Sequence, residues 1–191
     1  MNRKSASLLA MTLALCSLPP LHADDAQRVA ETRAVALAMP KNLLDVLQEE
    51  MAKGGPVGAI AACRERAPQM AAEAAAKTGW QIRRVSLNNR NPKAVPDDWE
   101  RAALQEFDRL AAAGTDPATL EKHETVVIDG KSTYRYMKAL PVQPLCLTCH
   151  GSATDIPADV QATLKTLYPD DKATGYMAGQ IRGAITIKRP L

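Results

Sequence analysis

The sequence predicts an α+β domain, a small antiparallel sheet with helices packed on it. Three observations predict this. The first third is rich in Ala, Leu, Glu and Gln with apolar residues at helical spacing; later runs alternate apolar and polar; and the strands are joined by a hairpin or by long excursions, not by repeating βα units. From Asp25 to Lys53, Val29, Val35, Leu37, Leu43, Leu44 and Leu47 recur as on one helix, and Pro40 inside it predicts a break or kink. Gly54-Gly55-Pro56 ends this helix and starts a second, running to Lys77, with Ile60, Cys63, Met70 and Ala74 roughly on one side and Pro68 as a kink or split. Trp80 to Leu87 alternates as a strand, and Asn88 to Lys93 reads as a loop. Asp97 caps a helix through Ala113, which Gly114-Thr115-Asp116-Pro117 stops. Glu124–Ile128 and Ser132–Leu140 form a hairpin about Asp129-Gly130. The stretch from Pro141 to Ser152 reads as a loop. Ala158–Leu167 is a short helix, and Gln180–Lys188, with Ile181, Ile185 and Ile187, a last strand.

The chain also predicts export. Asn2-Arg3-Lys4 is a basic start, Ser5 to Leu15 is an uncharged apolar run too short to span a bilayer, and Leu21-His22-Ala23 fits a cleavage site. The expected organisation is a signal peptide over residues 1–23 and a single domain over 24–191, exported to the periplasm, with no membrane span in the mature chain. An uncleaved N-terminal anchor is the alternative; lipidation at Cys16 is disfavoured by the bulk of Leu15. With 24 Lys and Arg against 21 Asp and Glu, nothing points to nucleic acid or to an anionic membrane surface.

Of four cysteines, Cys16 falls in the leader, and Cys63, Cys146 and Cys149 remain, an odd number for an oxidising compartment. Cys146-Leu147-Thr148-Cys149-His150 has the spacing of a c-type haem attachment site: two thiols add to the two vinyl groups of one porphyrin edge, and the next residue offers its imidazole to the iron. The competing readings are a thioredoxin-like pair, a structural zinc site or a disulfide. The first wants a strand-to-helix setting and the second two further ligands. Cys63 reads either as a buried small hydrophobe or as the second axial ligand. Met39, Met51, Met70, Met137 and Met177 are its rivals, since His/Met ligation is common.

Several blocks resemble the Tll0287-like, DUF3365-type haem protein family: Ala61-Ala62-Cys63-Arg64-Glu65-Arg66-Ala67-Pro68, the run from Arg84 to Pro92, Cys146 to Gly151, and Tyr168 to Tyr176 with Gly179 to Ala184. The resemblance implies a PAS-like antiparallel sheet flanked by helices with an N-terminal helical extension, one covalent haem c per chain, and Cys63 as the distal ligand opposite His150. A thiolate stabilises ferric iron, so a low reduction potential is expected. Haem propionates need donors, and Arg84, Arg90 and Arg182 are the candidates; each could instead sit on a solvated face or brace a loop.

The function expected is a periplasmic redox or ligand sensor, or an electron relay, acting without turnover on an unidentified redox or signalling partner or a small gaseous ligand. A His/Met electron-transfer cytochrome and a peroxidase-like enzyme are the alternatives. The enzyme would need an open iron position and a poised acid or base. His123, within Glu121-Lys122-His123-Glu124, reads as a surface residue.

Overall fold

The computed structural model describes residues 21–191. The predicted leader lies outside them up to residue 20, Cys16 included. One long helix, α1 (Leu21–Thr78), leads into β1 (Gln81–Val85), α2 (Asp98–Ala112), β2 (Glu121–Ile128), β3 (Lys131–Pro141), the one-turn α3 (Leu147–His150), α4 (Ala158–Leu167) and β4 (Ile181–Pro190). The four strands form one antiparallel sheet in the order β1-β4-β3-β2, so the α+β class is as predicted.

The only non-helical torsions in α1 are at Gly55 (φ 65°, ψ −169°). A straight helix would separate Ala36 from Ala74 by about 57 Å. Both pack on the same cluster of Ile82, Tyr134, Tyr136, Ile185 and Ile187, so the chain doubles back at Gly55 into two arms. The predicted reversal at Gly54-Gly55-Pro56 is there. Pro40 does not break the helix and Pro68 does not split it: α1 keeps helical torsions through both. Proline already has a helical φ, and the cost of its missing N–H is offset here by the tertiary packing of the arms.

Local signals fix the rest. Asp97 caps α2, accepting from the Glu100 N–H at 2.9 Å while the Glu100 carboxylate accepts from the Asp97 N–H at 2.9 Å. Asp129 and Gly130 both take positive φ (50° and 74°), as a two-residue hairpin turn requires. The sheet separates two cores. Val85, Met137, Ala139, Ile181 and Ala184 meet Ala103, Leu104 and Phe107 of α2. The other face meets α1, and beyond it Ile60 of the second arm packs on Val160 and Leu164 of α4. Among the described residues, no helix is long and apolar enough to cross a membrane.

Candidate functional site

The stretch expected to be a loop is a short helical turn. Pro144 opens a 3-10 turn, Pro144–Cys146, that runs directly into α3. Proline suits a helix start because its missing N–H is unpaired there anyway. Helical geometry puts Cys146 and Cys149, three apart, on one face, with His150 next in the chain. Gly151 ends the turn, its N–H donating to Leu147 O at 2.9 Å. A Cβ at Gly151 would lie 2.6 Å from that same backbone oxygen, so the turn accepts no side chain. The thiols of Cys63, Cys146 and Cys149 are all half-buried, and none is in a disulfide.

Two segments distant in sequence clamp this turn. Gly175 N–H donates to Gly151 O (2.7 Å) and Tyr176 N–H to His150 O (2.9 Å). From the Asn88–Pro92 loop, Arg90 bonds Asp171 Oδ2 through Nε (2.9 Å) and Cys149 O through Nη2 (2.5 Å). Arg90 therefore braces loops, one of the roles weighed for it from the sequence.

The His150 Nδ1 lies 2.6 Å from Ala173 O and 3.2 Å from Arg182 Nε. One ring nitrogen cannot donate to the carbonyl and accept from the guanidinium at once. The carbonyl contact is shorter and can only be made by an N–H, so Nδ1 carries the proton and Nε2 keeps its lone pair. Burial, and then the charges of Arg182 and Arg90, hold the imidazole well below its ordinary range, so it is neutral at pH 7.

Cys63, on the second arm of α1, faces the same place. Burial raises its thiol first and the nearby Cys149 adds to this, while Arg84 and Arg90 oppose it. Arg84, on β1, has no hydrogen-bond partner among the described residues. Burial depresses its guanidinium, with Cys146, Cys63 and Tyr176 close enough to act on it. Arg182 gives Nη1 to Ser86 Oγ (2.9 Å) and Asn88 O (3.1 Å), and its guanidinium lies 5.5 Å from the centre of the Tyr176 ring. The structure thus gathers all seven sequence candidates: Cys63, Arg84, Arg90, Cys146, Cys149, His150 and Arg182. Asp171 is the only carboxylate, among the described residues, bonded to any of the three arginines.

Of the rival sulfurs, Met137 is buried on the α2 face of the sheet, Met39 of the first arm packs on the opposite face, Met177 is 66% exposed, and Met51 and Met70 are half-buried on α1. His123 is exposed on β2 beside Tyr134, outside this cluster. No three His, Cys, Asp or Glu side chains gather, among the described residues, as a zinc site would require. A groove of about 620 Å³ lies elsewhere, between α2 and the Tyr176–Gly183 segment, and borders the site through Asn88 and Tyr176. Sequence reasoning missed Ser86, Asp171, Ala173 and Tyr176 as members. All four lie inside blocks that carried the resemblance, Ser86 in the run from Arg84 to Pro92 and the others in Tyr168 to Tyr176, and that was the only signal for them.

Comparison with known proteins places the family and the fold. The family model described as Tll0287-like matches residues 10–190. The solved crystal structure of the cyanobacterial haem protein Tll0287 superposes with a TM-score of 0.56 at 27% identity, covering 81% of this chain and 94% of that one. No curated protein matches the chain.

Proposed function

The chain belongs to the Tll0287-like family, and from this we propose that it is an exported haem protein with one haem c per chain, joined through Cys146 and Cys149, ligated by His150 and Cys63, and serving as a periplasmic redox or ligand sensor or electron relay. One observation carries the reading: three buried or half-buried arginines converge with a single carboxylate, beside two free thiols on one helical turn and an imidazole with its Nε2 lone pair bare. Unpaired desolvated charge is costly, and two propionates would supply the anions that this cluster lacks. Arg84, with no partner of its own among the described residues, is the first donor for them.

A haem supplies one-electron redox chemistry and an iron that binds small gases. The protein's part is positioning. The Arg90–Asp171 clamp and the Gly151 turn fix Cys149 and His150, and Ala173 O fixes the imidazole tautomer. The second arm of α1 brings in a sulfur from elsewhere in the chain. Cys63 would serve as the second ligand in preference to Met39, Met137 or Met177, since it shares surroundings with Cys149, Arg84 and Arg90. Acid–base turnover has little support: His150 is committed and His123 lies outside the cluster.

The test is the intact mass and absorption spectrum of the protein recovered from periplasm, in both redox states and with carbon monoxide. The expected result is one covalent haem and a thiolate-type ferric spectrum that Cys63→Ser abolishes. A colourless protein whose mass is polypeptide alone would sink the proposal, and a spectrum indifferent to Cys63→Ser would return the ligand to a methionine.

A further inference from the structure

Arg182 occupies an irregular place in β4. The β3–β4 register steps from Leu140↔Gly183 to Pro141↔Ile181 and passes over Arg182. In a regular strand Ile181 and Ala184 would point to opposite faces, yet both sit in the α2 core. The extra residue is a bulge, and it turns the Arg182 side chain away from that core and toward His150. The neighbouring Gly183 permits this. Its φ is 148°, and a Cβ there would lie 2.3 Å from Val85 O.

The side chain so aimed is 6% exposed and held at both ends. Nη1 donates to Ser86 Oγ and Asn88 O, and Nε lies 3.2 Å from the imidazole Nδ1. Nδ1 already gives its proton to Ala173 O at 2.6 Å, so the guanidinium gains no ordinary hydrogen bond from the ring. A buried cation pressed against a ring N–H to which it cannot donate is costly to keep there, and its effect is electrostatic.

We infer that Arg182 is a positioning and tuning residue: it braces the His150 imidazole from behind and sets a fixed positive charge there that raises the reduction potential of the site. This rests on the function proposed above. Ferric haem bears one more positive charge than ferrous haem, so a buried guanidinium next to its ligand penalises the ferric state more. A Cys63 thiolate ligand would push the potential down, and Arg182 would partly cancel it.

The experiment is a spectroelectrochemical titration of the exported, haem-loaded protein and of its Arg182→Gln, Arg182→Lys and Ser86→Ala variants, with thermal melts alongside. Arg182→Gln should move the midpoint potential to more negative values, Arg182→Lys should restore part of the shift, and Ser86→Ala should move it the same way by less. Unchanged potentials in well-folded Arg182→Gln protein would overturn the inference, and so would Arg182→Lys behaving as Gln, since a purely structural role has no need of charge. If Arg182→Gln does not accumulate, Ser86→Ala decides: no movement there overturns it. A parent protein without haem defeats the proposed function and this inference with it, whereas a coloured parent whose potential ignores Arg182 defeats the inference alone.

Discussion

The α2 face of the sheet and the cluster around His150 both contain buried charge, but only the first is matched within the protein. On the α2 face, Arg83 and Arg135 each meet fully buried Glu100 (2.5 and 3.5 Å), Arg135 and Lys188 meet Asp97 (2.7 and 3.1 Å), and Thr186 donates to Glu100 at 2.9 Å. Each of these three cations has a carboxylate. Around His150, Arg90 alone is paired, through Asp171, while Arg84 and Arg182 have no carboxylate partner among the described residues. A closed network holds a fold together, whereas an excess of positive charge is what the propionates of the proposed haem would balance. Local excess of charge thus separates a structural cluster from a binding cluster even where residue types are alike.

The contrast can be broken by mutation. Glu100→Ala leaves Arg83 and Arg135 without their buried partner and should cost about 3–5 kcal/mol in urea unfolding. A loss within that of an ordinary surface substitution would show the network to be dispensable. Gly183→Ala forces a Cβ onto Val85 O and a strained φ, with an expected loss of ~1–3 kcal/mol; its haem content should fall with its stability, since the same bulge aims Arg182. Acid sharpens the comparison. Burial alone would raise the Asp97 carboxyl, but the Glu100 N–H, Arg135 and Lys188 outweigh it and hold it at about 2. A carboxylate lowered on folding stabilises when ionised, so this contribution is complete above about pH 4 and is lost as pH falls toward 2. An Asp97→Asn variant should flatten that part of the stability–pH curve. The smallest effect has the opposite sign. Arg84→Met removes a half-buried cation with no partner and should raise the stability of haem-free protein by ~1 kcal/mol while weakening haem retention. A stability loss in the haem-free form would mean that Arg84 is already satisfied within the protein.

What was legible in the sequence was local. Asp97 as a cap, Asp129-Gly130 as a turn and the span Ala158–Leu167 all follow from rules that act over a few residues, and the structure keeps each of them. Cys146, Cys149 and His150 stand out in the sequence because the attachment chemistry proposed for them would fix their spacing. What was hidden depends on residues far apart. Pro40 and Pro68 stay helical because each arm of α1 lies against other elements, a fact absent from the arms themselves. Glu100 reads as a solvated helix residue until Arg83, Arg135 and Thr186 are brought over it. Arg90 and Asp171 meet across 81 positions, and Arg182 and Ser86 across 96. The parity of β4 predicts the wrong face for Arg182, since no pattern of apolar residues announces a bulge.

The sheet order has a consequence for how the molecule is made. β4 comes last in the chain but lies between β1 and β3, so β1 has no hydrogen-bonded neighbour until residues 181–190 emerge. The hairpin of β2 and β3 can close early, but α1 must wait for half of the surface it covers. Completion of the sheet is therefore a late step that depends on long-range pairing, unlike the local closure of the hairpin. A nascent chain halted before Ile181 would hold its thiols and its imidazole on unanchored segments, with no scaffold yet to bring them together.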